Sequence, residues 1–253
     1  MSEQLISSIK ITNLNKSYGK KQVLFDINLE IFEGELFGFI GKNGVGKSTT
    51  IECVLGSKLF DSGEILVEGL DIKEKPIEVK KLIGYVASEP TCYEDMTGMQ
   101  YLQFIGSIYL INPQIFIKNI SFLIKKFEFN EEDLYREIRE YSHGMKQKVC
   151  LMASLIHNPK IWILDEPTVG LDAMSANELS LLMKDYVKHG NTCFVASHNI
   201  DLISKLCDRV AIIKDGRIYE VYDLRHEPSL RNRMEKIFLK LYQDKEEWLL
   251  VYL

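Results

Sequence analysis

Residues Leu36 to Thr49 read LFGFIGKNGVGKST, and no other stretch limits so sharply what this chain can fold into. A nearly continuous apolar run, as expected of a strand covered on both faces, leads straight into G-x-x-x-x-G-K-[ST], the phosphate-binding loop pattern, with a helix expected after it. Glycines at Gly41, Gly44 and Gly46 let the backbone bend so that successive N–H groups point inward, and the helix N-terminus adds the positive end of its dipole. Gly41, Lys42, Asn43, Gly44, Val45, Gly46, Lys47, Ser48 and Thr49 are therefore the expected phosphate-binding set. Within it Lys47 reaches the β- and γ-phosphates and the Ser48 hydroxyl suits magnesium, a hard cation that prefers oxygen donors.

A second motif closes another buried-strand candidate, IWILDE at Ile161 to Glu166. Two adjacent carboxylates then stand at the carboxyl edge of a parallel sheet, where ligands of such folds bind. Asp165 is expected to hold magnesium, directly or through water, and Glu166 to act as general base. A helical stretch from Met174 to Lys188 and a further apolar run at Cys193 to Ala196 complete a strand, helix and strand succession, which implies parallel pairing.

Upstream, Ile9 to Leu14, Val23 to Ile31 and Glu35 to Ile40 read as short strands of an N-terminal antiparallel β part. Near the end, Val210 to Ile213 and Ile218 to Val221 flank Asp215-Gly216, a tight hairpin signal. The stretch of about 90–159 differs, and reads as a helical insert. Thr97 and Gln100 form a capping box ahead of apolar residues at helical spacing, and a last helix is expected from Ser142 to before Pro159. The core is then about 1–89 and 160–222, and about 223–253 is a helical tail in which Ser229 is expected to cap a helix presenting Leu230, Met234, Ile237, Phe238 and Leu241.

Composition bounds the partners. The 31 Lys plus Arg fall short of the 36 Asp plus Glu, which argues against a nucleic-acid surface as the main business of the chain. No apolar run approaches the roughly 18 residues of a membrane span, so a cytosolic location is expected. The five cysteines are scattered without a CxxC pair and read as reduced, mostly buried thiols.

Phosphate loop and acidic strand define a nucleotidase without saying which kind, and Tyr141 to Lys148, YSHGMKQK, decides it. The segment resembles the signature motif of ABC ATPases in a variant found among some exporters. Tyr18 in KSYGKKQVL then resembles the family's aromatic A-loop, Gly170-Leu171-Asp172 its D-loop, and His198 in VASH its switch histidine. The resemblance runs from about Ile9 to Val221. It implies a single ABC nucleotide-binding domain over 1–253, an α/β P-loop NTPase (ABC ATPase) core with a mixed sheet, an N-terminal antiparallel β part and an inserted α-helical subdomain.

The resemblance also implies roles. Tyr18 stacks on adenine; Ser142 and Gly144 meet the γ-phosphate held by an opposite subunit; Asp172 bridges the two sites. His198 contacts the γ-phosphate and holds Glu166 and water in register, so Glu166, His198 and Lys47 form the expected catalytic set. One departure stands out: where the family's Q-loop carries glutamine this chain has Ser88, followed by Glu89. Serine is too short to bridge magnesium as the amide does, so either Glu89 or a water supplies the oxygen, and Glu89 is taken as the third metal residue beside Ser48 and Asp165.

The function implied is that of the ATP- and magnesium-dependent subunit of an ABC transporter resembling ABC-2-type exporters of peptide, antibiotic or other amphipathic cargo. It works as a homodimer or with a paralogous ATPase subunit beneath transmembrane permease subunits, peripheral on the inner face of the cell membrane, without nucleic acid. The alternatives are a non-transport ABC ATPase acting on ribosome or DNA, against which stand the single cassette and lack of heptads, and a small-molecule P-loop kinase, against which stand Ser142 and His198.

Overall fold

The computed structural model describes residues 6–89 and 91–243. The run LFGFI forms strand β3 (Leu36–Ile40), buried at all of its positions and set inside a six-stranded sheet of order β10-β9-β3-β8-β7-β6. Its partners are β8 (Thr192–Ser197) and β9 (Arg209–Lys214), both parallel to it. Beyond β8 lie β7 (Ile161–Asp165) and β6 (Ile83–Val86), again parallel. Strand β10 (Arg217–Asp223) runs antiparallel to β9 at the edge, joined through Asp215 and Gly216, whose φ values of 51° and 72° are those of a type I′ turn. The sheet is mixed, as expected.

Alternation along β3 explains how one strand serves two cores. Phe37 and Phe39 point into one apolar cluster and Leu36 and Ile40 into another. The first cluster lies between this sheet and a four-stranded sheet of order β2-β1-β4-β5, formed by β1 (Ser7–Tyr18), β2 (Lys21–Phe32), β4 (Ser62–Val67) and β5 (Leu70–Asp71). Those pairings are antiparallel. Helix α1 (Lys47–Val54), buried at Ile51, Cys53 and Val54, fills the same cluster, and α2 (Pro76–Leu82) leads into β6.

Helices cover the opposite face. Thr97 and Gln100 close a capping box at the start of α3 (Gly98–Ile108), with each side chain bonded to the other's backbone N–H. Asn112 caps α4 (Pro113–Lys126), and Ser142 caps α5 (His143–Leu155), its Oγ accepting from the Met145 N–H at 3.3 Å. Trp162 of β7 is fully buried beneath α5, and its indole N–H donates to Ser154 Oγ at 3.0 Å. Helices α6 (Ala173–Lys188) and α7 (Ile200–Leu206) link the last parallel strands. Among the described residues no helix is long and apolar enough to cross a membrane.

One expectation changes. The terminal helix α8 (Met234–Gln243) starts later than Ser229. Pro228 opens a 3-10 turn, Pro228–Arg233, behind Glu227, so Ser229 falls inside a turn already formed and caps nothing. Met234 and Leu241 are buried against the core; the tail expectation for 244–253 lies outside the described residues. The five cysteines are free and three of them are buried, as expected, while Cys92 Sγ and Cys150 Sγ approach to 2.9 Å across 58 positions of sequence.

Candidate active site

The register of the parallel strands assembles the site. Ile40 pairs with Ser197 and Asp165 with Ala196, so the phosphate loop, the acidic pair and the residues following β8 leave the sheet side by side at its carboxyl edge. Gly44 and Gly46 carry φ of 75° and 116°, where a side chain is strained, and a Cβ on Gly41 would stand 2.7 Å from the Ile213 carbonyl. The loop thus requires glycine at these three positions for different reasons. Thr50 Oγ1 donates to the Gly46 carbonyl at 2.9 Å and fastens loop to helix.

Lys47 is 5% exposed, its ammonium donating to the Gly41 carbonyl at 2.8 Å and standing 3.3 Å from Glu166 Oε1. Glu166 has φ 49°, a left-handed conformation that costs a non-glycine residue about 1–2 kcal/mol. The strain aims its carboxylate across the sheet edge. Oε2 accepts from Ser197 Oγ at 2.9 Å and from the His198 N–H at 3.2 Å, and lies 2.9 Å from His198 Nδ1. A carboxylate only accepts, so Nδ1 carries the proton and Nε2 faces outward. Burial pushes the Glu166 carboxyl up, yet the hydrogen bonds from His198 and Ser197 and the Lys47 charge outweigh it, and the group titrates below the usual carboxylate range.

Asp165 is 2% exposed and shifts the other way. Desolvation raises its carboxyl, against a hydrogen bond from Ser48 that lowers it. Its Oδ1 is buried without a hydrogen-bond partner. A buried, unpaired carboxylate oxygen beside a hydroxyl is a donor set a hard divalent cation can use. Among the described residues no cluster of three His, Cys, Asp or Glu could hold a metal alone, so any cation here must take ligands from hydroxyl, water or phosphate.

A cleft of about 470 Å³ is lined by Asn43, Gly44, Gly46, Lys47, Ser48, Thr49, Ser88, Glu89, Glu166, Val169 and His198. The cleft therefore gathers much of the loop, Glu166, the histidine and both Q-loop candidates, while Asp165 is buried beside Ser48 and does not line it. Glu89 lines a second groove as well, between β6 and α3, which Ser88 does not reach. The other expected residues stand apart. Tyr18 is 43% exposed at the end of β1, with the Lys16 ammonium 4.8 Å from its ring centre. Ser142 and Gly144 open α5 outside the cleft, and a Cβ on Gly144 would meet nothing within 4 Å. Asp172 caps α6 from an exposed position, accepting from the Ser175 N–H at 2.8 Å.

Sequence reasoning missed Ser197, whose hydroxyl braces Glu166; a small hydroxyl residue at the strand end ahead of a histidine was the available signal. It also missed Gln147, 1% exposed, which donates to the Pro167 carbonyl at 3.3 Å and ties α5 to the loop after the acidic pair. His143 was equally silent, and packs on Gly170 so closely that a Cβ there would lie 2.5 Å from its ring nitrogen.

Residues 24–169 match the sequence profile of the ABC transporter family. The linearmycin resistance ATP-binding protein of Bacillus subtilis is 34% identical over 84% of this chain and 68% of its own length. The bacitracin transport ATP-binding protein of Bacillus licheniformis is 32% identical over 94% of this chain and 76% of its own. A solved ATP-binding subunit of an ABC transporter superposes with a TM-score of 0.85 at 26% identity, covering 94% of this chain and all (100%) of that one.

Proposed function

The chain belongs to the ABC transporter family of ATP-binding proteins, and from that premise we propose how its own residues bind and hydrolyse ATP and what the hydrolysis drives. The observation that carries the reading is the convergence of Lys47, Glu166 and His198 on one cleft behind the glycine loop.

The backbone of Gly41 to Thr49 cradles the phosphates while Lys47 meets the β- and γ-phosphates. Glu166, kept ionised by its partners, takes a proton from the attacking water, and the outward Nε2 of His198 is placed to meet the γ-phosphate while Nδ1 holds the carboxylate still. Ser48 and Asp165 would hold magnesium, with Glu89 in the Q-loop position, and the cation would supply charge neutralisation to the phosphates. Tyr18 offers its ring to adenine.

Ser142, Gly144 and Asp172 lie away from their own chain's cleft, and the exposure of Ser142 and Asp172 with the open space at Gly144 supports a role in closing the cleft of a second copy or a paralogous subunit. ATP then holds two chains together, and hydrolysis releases them. The cargo is a peptide, antibiotic or other amphipathic molecule moved outward through transmembrane permease subunits, with this chain on the inner membrane face. Similarity to proteins of linearmycin resistance and bacitracin transport supports that assignment.

Light scattering of purified Glu166→Gln protein with and without Mg-ATP tests the dimer: an ATP-dependent doubling of mass is expected, and a persistent monomer that binds ATP withdraws the homodimer. Capture of the chain from native membranes tests the partners. Recovery of permease subunits is expected, and recovery of ribosomes would sink the transporter assignment.

A further inference from the structure

The terminal helix reaches the phosphate loop. Tyr242, on the last turn of α8, donates its hydroxyl to the Ile213 carbonyl at 2.9 Å and accepts the Lys42 N–H at 3.4 Å. The Lys42 ammonium stands 4.7 Å from the centre of the same ring, and the Lys214 ammonium 5.7 Å. Lys214 also donates to the Leu241 carbonyl at 2.5 Å, satisfying an acceptor at the helix C-terminus where a cation is favoured. Ile213, the acceptor of the Tyr242 hydroxyl, is the residue whose carbonyl crowds Gly41. The start of the loop is thus pinned between the end of β9 and one phenol.

This matters because an anion cradle works only if its N–H groups are already aimed when the phosphate arrives. Lys42 sends its N–H to Tyr242, and the carbonyls of Gly41 and Lys42 accept from the Lys47 ammonium at 2.8 and 3.4 Å. One peptide unit therefore sets both the Lys47 anchor and the direction in which Asn43 to Gly46 continue.

We infer that Tyr242 is a positioning residue of the nucleotide site, holding Gly41 and Lys42 in the phosphate-binding shape and making the C-terminal helix part of ATP binding. The inference rests on the nucleotide-binding reading given above. Tyr242 acts through the loop and touches no reacting atom.

The test is calorimetric titration of ADP, with steady-state ATPase assays, on the full chain as wild type, Tyr242→Phe, Tyr242→Ala and Arg231→Ala. Phenylalanine keeps the ring over Lys42 and removes only the hydroxyl. Arg231, which donates to the Ser204 carbonyl at 2.7 Å, anchors the segment leading into α8 far from the loop and serves as the structural control. Tyr242→Phe is expected to weaken ADP binding and raise KM for ATP about three- to tenfold with kcat unchanged, as loss of a hydrogen bond to the loop requires. Tyr242→Ala is expected to weaken binding further, and Arg231→Ala to lower Tm with ADP affinity intact. Wild-type affinity in Tyr242→Phe overturns the inference, and so does an affinity loss in Arg231→Ala equal to that in Tyr242→Phe. Wild-type protein that binds neither nucleotide overturns the nucleotide reading and this inference with it.

Discussion

His198 Nδ1 and Glu166 Oε2 stand 2.9 Å apart, and the same carboxylate oxygen receives the His198 backbone N–H at 3.2 Å. One residue therefore grips the other by both main chain and side chain. Alanine at 198 removes the ring contact and leaves the main-chain bond, so it separates the two.

The pH profile reads that difference. Glu166 titrates below the usual carboxylate range, so the base form survives to lower pH and kcat falls only as pH drops through the lowered value. In His198→Ala one of the lowering contacts is gone, so the acidic limb of kcat is expected to move to higher pH, with kcat itself down about 100-fold. The same depressed value means that these contacts stabilise the fold above the unfolded pKa of Glu166 and are lost as pH falls through the folded one. An acidic limb that stays in place on mutation would refute the coupling.

Glu166→Gln keeps the shape and hydrogen-bonding reach of the side chain while removing its basicity. Turnover is expected to fall by about 100-fold or more, with calorimetric ATP affinity close to that of wild type. Turnover near the wild-type rate would assign the base elsewhere.

Glu89 and Ser88 both line the phosphate cleft, but only Glu89 also lines the groove between β6 and α3. Glu89→Ala is therefore expected to raise the magnesium concentration needed for half-maximal ATPase activity by about tenfold, the scale of losing one supporting ligand, and Ser88→Ala to leave it unchanged. The reverse pattern would give the Q-loop role to Ser88.

Gly84 sits in β6 directly beneath α5, where a Cβ would fall inside van der Waals contact of the Ser154 carbonyl and 2.9 Å from the Pro159 ring. Backbone has little room to yield there. Gly84→Ala is expected to lower unfolding free energy by about 1–3 kcal/mol, seen as a lower urea midpoint at constant m-value. An unchanged midpoint would mean that α5 shifts freely over β6.

How much of this was legible beforehand follows the range of the physics involved. The glycine loop, the acidic pair after IWIL, the Asp215-Gly216 turn and the Thr97–Gln100 capping box each depend on neighbours a few residues away, so residue type and spacing suffice to write them down. The short strand Ile83–Val86 carried no such mark. It is a strand because β7 pairs with it, and the pairing comes from the sheet.

Ser229 failed as a cap because Pro228 had already begun the turn, a local rule that another local rule overrode. Sequence by itself determined a phosphate-loop α/β chain and the residue types proposed to carry its chemistry, since a backbone cradle for phosphate can be built only with glycine at particular places. Tertiary structure alone decided that Ser197 braces Glu166 across 31 positions, that Cys92 meets Cys150 across 58, and that the Lys42 N–H finds Tyr242 across 200. Those contacts arise from strand register and helix docking, and no spacing rule spans such separations.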